Sequence, residues 1–360
     1  MRQQSSTGSE TDAWINSDVL QRIGFVALIT LFSAVFGEAY SAIFYGTEND
    51  DLYQGGRTGA TIGLLTSLFE VFYVRSMRKS WIRRLAFLPG LVVRILIITF
   101  IVRLALVGNE AITQMVRGQP IGLDREVGGE IRDTVISLGL VLFFLVQFQF
   151  TSIIGFKRFS NLLAGRYFKP VEEDRVFVFI DLIGSSSAAR QLGDVRFHEY
   201  LADFFHQMDR AIVRNGGEIV SYVGDAVIIT WPLSDQPEKN SACLKTVVMM
   251  TQMLKRQSDY FEKEYGLVPE FRAALHGGHV VVGECGDSRR QITFLGDVVN
   301  MTARIEDVSK VTEERYIISD ALAQRIVPPK DVSYGELGVF ELKGSGESFK
   351  LHALRFHSEP

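Results

Sequence analysis

Apolar positions follow two rhythms along this chain. Between residues 23 and 154 they form four long, nearly uninterrupted runs, at 23–45, 60–74, 85–107 and 135–154. From Arg175 onward they shorten to strand-length runs that alternate with stretches of helical period. A helix rises about 1.5 Å per residue, so about 20 apolar residues cross a hydrocarbon layer of about 30 Å. The first, third and fourth runs reach that length. The second is shorter and needs Arg57 or Arg75 to reach the interface with its long side chain. The pattern predicts four transmembrane helices, with Pro89 kinking the start of the third or marking its first turn.

Charge sets the orientation. Arg75, Arg78, Lys79, Arg83 and Arg84 lie between the second and third runs, and Lys157, Arg158, Arg166 and Lys169 follow the fourth. The other two loops are acidic or mixed, with Glu48, Asp50 and Asp51 in one and Arg117, Asp124, Arg125, Glu126 and Glu130 in the other. The excess of basic residues places both termini in the cytoplasm, which an even number of spans requires. Glu38, Glu70, Arg94 and Arg103 fall inside the runs; Glu70 and Arg103 lie near enough to an end to reach headgroups, whereas Glu38 and Arg94 do not. They either pair within the bundle or form a site for a ligand. Between Gly155 and Pro170 the chain reads FKRFSNLLAGRYFKP, whose Phe156, Phe159, Leu162 and Leu163 recur at helical spacing among basic residues. The expected order is a polar unstructured tail at 1–18, a membrane domain at 19–155, a helical linker at 156–174 and a cytoplasmic domain at 175–360.

In that last part VFVFI ends at Asp181, and a helix follows from about 187 to 214, stopped by Asn215-Gly216-Gly217. EIVSY and AVIITW form a hairpin through Val223-Gly224-Asp225, a second helix covers about 240–265, and FRAALH and HVVVGE pair about Gly277-Gly278. This β-α-β-β-α-β order predicts a ferredoxin-like α+β sandwich.

A length of 360 residues fits two domains, and the net charge of −4 gives no sign of nucleic-acid binding. The two cysteines, Cys243 and Cys285, have neither metal-ligand spacing nor a disulfide framework, and the N-terminus lacks a signal-peptide layout.

Asp181 closes a very hydrophobic strand and Asp225 sits at a hairpin tip. In this strand order the two positions meet at one edge of the sheet. Facing carboxylates repel unless a cation lies between them, and Mg²⁺ takes such oxygen ligands alongside phosphates. The turn Ile183-Gly184-Ser185-Ser186, at a helix start, presents backbone N–H groups suited to a phosphate.

The residues in FIDLIGSS and YVGDAV, with QITFLGDVVNMTARIE and VFELKGSG, resemble the class III nucleotidyl cyclases over about 175–356. The four-span N-terminus and GECGDSRRQITFLGD are similar to bacterial membrane-anchored members. The resemblance implies that Asp181 and Asp225, with the Leu182 carbonyl, hold two Mg²⁺ or Mn²⁺ ions. It implies that Gly184, Ser185, Ser186 and Lys343 bind phosphates, that Asn300 orients the ribose, and that Arg304 stabilises the transferring phosphoryl group. Because the family's site forms between two catalytic domains, it also implies a homodimer with two shared sites. No side chain stands out as general base.

At the base-recognition positions stand Ser221 and Thr293, where adenylate-selective members commonly carry a lysine at the first and guanylate-selective members a glutamate. Thr293 favours adenine. The expectation is a multi-pass inner-membrane adenylyl cyclase that converts ATP to cyclic AMP and pyrophosphate. A guanylyl or poorly selective cyclase, and a silent nucleotide-binding receptor, are the alternatives. Four further residues are expected in structural places: Asp297 as a helix cap, His276 and His279 beside the Gly-Gly turn, and Glu218 at a strand edge.

Overall fold

The computed structural model describes residues 6–46, 49–74, 85, 87–118, 127–154, 165–287, 291–342 and 348–357. The chain divides into two compact units, Met1–Ile154 and Gly155–Pro360.

The first unit is helical: α1 (Ser6–Phe44), α2 (Asn49–Leu68) continued by a π-helical segment (Phe69–Val74), α3 (Phe87–Val116) and α4 (Val127–Ile154). Helix α1 takes in most of the stretch expected as an unstructured tail; Ser, Thr and Asp are no barrier to a helix that a long apolar run already propagates. Among the described residues two segments, Ile23–Phe44 and Pro89–Val116, are long and apolar enough to cross a membrane. The second expected run lies on α2, where Gly55, Gly56, Arg57, Gly59 and Gly63 dilute the apolar character.

Those glycines have a packing role. Gly55, Gly59 and Gly63 recur every fourth residue on α2 and face Ser33, Gly37 and Ser41, also four apart, on α1. A Cβ on Gly59 would lie 2.0 Å from the Ser33 carbonyl oxygen, and one on Gly37 2.3 Å from that of Gly55. The two backbones therefore touch, as small-residue stripes allow in membrane helices.

The unit exposes apolar side chains and buries both an apolar cluster and a set of polar groups. On α3, Val92, Leu96, Phe100 and Leu104 are exposed, at spacings of four, while Ile98, Val102, Ala105 and Asn109 are buried. Arg94 pairs with Glu70 at 3.2 Å. Arg57 donates to the Asn109 side chain and carbonyl at 2.9 and 2.8 Å, and Arg103 donates to Thr134 at 3.0 Å. The hydroxyls of Tyr40 and Tyr45 both donate to Asp133, at 2.6 and 2.5 Å. Glu70, expected near a headgroup, is instead the buried partner of Arg94, because the π-helical segment turns it inward.

The second unit is built on one sheet, in the order β2-β3-β1-β4-β6-β8-β7, with β5 added to β4. Its elements run β1 (Val171–Leu182), α5 (Ser185–Leu192), α6 (Asp194–Arg214), β2 (Glu218–Val223), β3 (Ala226–Pro232), α7 (Pro237–Asn240), α8 (Ala242–Arg256), α9 (Ser258–Tyr265) and β4 (Phe271–Cys285). They continue with β5 (Gln291–Leu295), α10 (Asp297–Thr312), β6 (Tyr316–Ser319), α11 (Asp320–Ala323), β7 (Val332–Glu341) and β8 (Ser348–Phe356). Helices cover the sheet, so Arg175, Val176, Phe177 and Val178 are buried in succession.

Each expected helix is divided. Gly193, at φ 75°, separates α5 from α6, and Gln257 separates α8 from α9. The Gly277-Gly278 turn does not form. Strand β4 runs straight through it and pairs with β1 from Leu182↔Phe271 to Val171↔Val282. Here glycine serves proximity: a Cβ on Gly277 would meet Leu322 at 2.9 Å and Leu233 at 3.2 Å. Residues 156–164 of the expected linker lie outside the described residues. Its end is packed, with Tyr167 buried against Phe177, Val280, Val282 and Phe294.

Candidate active site

Strand β1 carries its apolar run into the centre of the sheet and ends with Asp181 paired across to Ala226 of β3 and Arg272 of β4. Asp225 directly precedes Ala226, in a two-residue hairpin turn whose first residue, Gly224, has φ 61°. Asp181 and Asp225 thus converge. The Asp181 carboxyl is held above its ordinary range, first by burial and then by the Asp225 charge, against the pull of Lys310 and Arg272. A second acid beside a half-buried one could hold a cation, and the donor types available there, carboxylates and the Leu182 carbonyl, are those a hard divalent metal takes.

A third acid lies beside Asp181. Glu306 of α10 is 8% exposed. Its Oε2 accepts from Lys310 Nζ at 2.8 Å, while its Oε1 is buried without a donor. The Asp181 carboxyl lies beside this side chain, and a hydrogen bond between the two acids needs a proton shared between them. Burial raises the Glu306 carboxyl, and Lys310 opposes the rise.

After β1 the chain turns through Gly184, at φ 73°, into α5. The amides of Ser185 and Ser186 open this helix and precede its first intrahelical bonds, so they are free to face a ligand. Gly184 and Ser186 are exposed and Ser185 is half-buried.

Asn300 and Arg304 lie four apart on α10 and share one face. Asn300 is exposed; Arg304 is half-buried and touches Met301 Sδ at 4.0 Å. Two residues further on, Glu306 points about 160° away around the helix from Arg304. No hydrogen bond or ion pair joins Asn300 or Arg304 to Asp181 or Asp225 among the described residues. One chain brings Asp181 beside Asp225 and beside Glu306, no three acidic, histidine or cysteine side chains form a metal-holding group among the described residues, and Asn300 and Arg304 lie on another face of α10.

Ser221 lies on β2, half-buried, just past a bulge that follows Ile219. The Thr293 hydroxyl of β5 donates to the Gly283 carbonyl at 3.2 Å and lies 3.1 Å from Cys285 Sγ. Lys343 lies outside the described residues. Asp297 is the first residue of α10 and makes no capping hydrogen bond; the cap position is Gly296, where a Cβ would lie 2.9 Å from the His279 carbonyl oxygen. His276 is buried with its Nδ1 2.8 Å from Ser319 Oγ, and His279 is exposed beside Asp174 and Glu172. Glu218 opens β2, the outermost strand of the sheet, and is buried there, facing Arg175 at 3.4 Å.

Comparison with known proteins follows the same boundary. Residues 169–355 match the family described as adenylate and guanylate cyclase catalytic domain. The chain is 43% identical over 202 residues to adenylate cyclase 2 of Rhizobium meliloti, covering 56% of this chain and 55% of that protein. It is 25% identical over 214 residues to an adenylate cyclase of Anabaena cylindrica, covering 58% and 41%. The chain therefore spans about half the length of the curated relatives it matches. A bacterial light-regulated adenylyl cyclase shares the fold, with a TM-score of 0.52 at 19% identity over 61% of this chain and 64% of that one.

Proposed function

The chain belongs to the adenylate and guanylate cyclase catalytic-domain family, and from that premise we propose that it is a membrane-anchored adenylyl cyclase acting as a homodimer. The observation that carries the reading is the division of labour on the chain: two acids lie close at the end of the central strands, while Asn300 and Arg304 of α10 make no hydrogen bond or ion pair with them among the described residues. A two-fold pairing of copies would bring one chain's acids to the other's Asn300 and Arg304, giving two equivalent sites.

In this reading Asp181, Asp225 and the Leu182 carbonyl hold two Mg²⁺ or Mn²⁺ ions. Such ions, when bound, neutralise a triphosphate and make a ribose 3′-hydroxyl easier to deprotonate. The first-turn amides of Ser185 and Ser186, with Gly184, cradle phosphate oxygens. Arg304 meets charge that develops on the α-phosphoryl group, and Asn300 orients the ribose so that its 3′-oxygen attacks that phosphorus. Lys343 receives the leaving pyrophosphate. Thr293 favours adenine over guanine, and Ser221 reads the base through backbone or water.

The anchor is read as four spans in the inner membrane, with both termini cytoplasmic. Outward apolar side chains on α3, inward ion pairs and the small-residue contact of α1 with α2 support it.

To test the proposal, the full chain in lipid nanodiscs is given Mn²⁺ with ATP or GTP, and cyclic product is measured. Asp181→Asn and Arg304→Ala should each be inactive. Refolded or co-expressed together, they should recover about a quarter of wild-type activity, since half the dimers carry one intact site of two. Turnover by Asp181→Asn alone, or nucleotide binding without product in the wild type, would refute it.

A further inference from the structure

Thr293 on β5 pairs directly with Gly283 of β4, and Cys285 lies two residues along β4 on the same face of the hairpin. Gly283 brings no side chain to this pair. The side chain that meets the Thr293 hydroxyl is therefore the diagonal thiol, with Sγ 3.1 Å away. The hydroxyl has one proton, and among the described residues it meets two acceptors, the Gly283 carbonyl oxygen at 3.2 Å and that sulfur. A backbone carbonyl is a strong acceptor and a thiol sulfur a weak one, so the proton goes to the carbonyl. What Oγ1 has left to offer is a lone pair. Cys285 is exposed and Thr293 half-buried, so a ligand can reach this contact from solvent.

We propose that Cys285 is a specificity-determining residue for the purine: its thiol fills the space beside Thr293 without competing for the hydroxyl proton, and so holds Oγ1 as an acceptor. An acceptor there takes a hydrogen from the 6-amino group of adenine and repels the 6-oxo oxygen of guanine. The inference rests on the reading of Thr293 as a base-recognition residue and supplies the polarity of that recognition. Oxygen in place of sulfur undoes the arrangement. A serine hydroxyl is a full donor and acceptor, so it draws the Thr293 proton or gives its own to a guanine oxygen. Alanine leaves room for water, which does the same. Valine fills the space with no polar atom and leaves the Thr293 proton with the Gly283 carbonyl.

The test uses the full chain in nanodiscs with Mn²⁺ and measures kcat/KM for ATP and for GTP. The wild type should favour ATP. Cys285→Ser and Cys285→Ala should each lower the ATP-to-GTP ratio about fivefold, the worth of one hydrogen bond, while Cys285→Val should hold it within about twofold of wild type. Thr293→Val, which removes the hydroxyl itself, should lower the ratio at least as far as Cys285→Ser. A cysteine that only packed the hairpin would affect both substrates alike and leave the ratio where it was. If Thr293→Val lost the preference while Cys285→Ser and Cys285→Ala kept the wild-type ratio, the inference would be overturned and the base-recognition reading would stand. If Thr293→Val kept the wild-type ratio, or the wild type used GTP as readily as ATP, the base-recognition reading itself would fall, and the inference with it.

Discussion

Arg175 offers the sharpest test of how the catalytic unit is held together. It is 2% exposed, and each of its nitrogens has a partner. Nε donates to Glu173 at 2.8 Å, Nη2 to the Tyr167 hydroxyl at 3.0 Å, and Nη1 faces Glu218 at 3.4 Å. Its guanidinium also lies 5.2 Å from the centre of the Phe294 ring. Burial pushes the Glu173 carboxyl up, but Arg175, with Arg166 beside it, more than offsets this and holds the group below its ordinary range, so the combined attraction exceeds the desolvation cost there. Arg175→Met keeps the volume and withdraws the charge. Removing one partner of a buried pair costs about 3–5 kcal/mol. The exposed Arg166 still reaches Glu173 at 3.1 Å, which places the expectation at the low end, about 3 kcal/mol. For a domain of this size each kcal/mol moves the midpoint by about 2–4 °C, so scanning calorimetry should show the catalytic-unit transition about 6–12 °C lower. Arg175→Met/Glu218→Gln removes a stranded acid along with the base and should recover part of that loss. A fall of less than about 2 °C in the single variant, or a double variant as damaged as the sum of the two singles, would refute the reasoning.

Burial pushes the His276 imidazole down to about 4, so the fold favours the neutral ring; its contribution is complete above about pH 6.5 and is lost as pH falls through that value toward 4. Over this window the wild type should lose about 3 kcal/mol more than His276→Gln in denaturant titrations, and parallel pH profiles would sink the idea. In the helical unit, Gly59→Leu forces α1 and α2 apart because its Cβ meets backbone at 2.0 Å, and it should cost about 1–3 kcal/mol or more. Gly108→Leu, with nothing within 4 Å of its Cβ, should leave the same thermal midpoint unchanged.

What was legible in the sequence was local. An acid closing a buried strand, an acid after glycine in a two-residue hairpin, and an Asn–Arg pair at helical spacing each announce themselves within a few residues. The failures share a cause. Gly277-Gly278 has the composition of a turn, and only the neighbouring Leu322 and Leu233 show that Gly277 serves close packing. Arg175 and Glu218 read as the polar flanks of strands, yet they neutralise each other inside because β1 and β2 both lie against β3. The glycine and serine stripes of α1 and α2 recur with a period of four, a signal that the apolar length of the runs masks. Glu306 and Lys310 showed an i,i+4 signal; that the pair turns inward toward Asp181 depends on how α10 packs across the end of β1.

That packing joins two tasks on one helix. In the proposed reading, α10 packs beside Asp181 of its own chain and delivers Asn300 and Arg304 to the acids of a second copy. The two faces belong to one rigid body, so neither can be adjusted alone. Side-chain atoms lie about 5–6 Å from a helix axis, so a rotation of about 10° displaces them by about 1 Å. A misplacement of that size can cost about a hundredfold in rate. A turn of α10 too small to disturb its buried Ile305 and Met301 would therefore loosen Asp181 in one site and withdraw Arg304 from the other together. The two sites of a dimer would rise and fall in activity as a pair. A dimer in which one site keeps full metal affinity while the other loses its arginine through a shift of the same helix would break that argument.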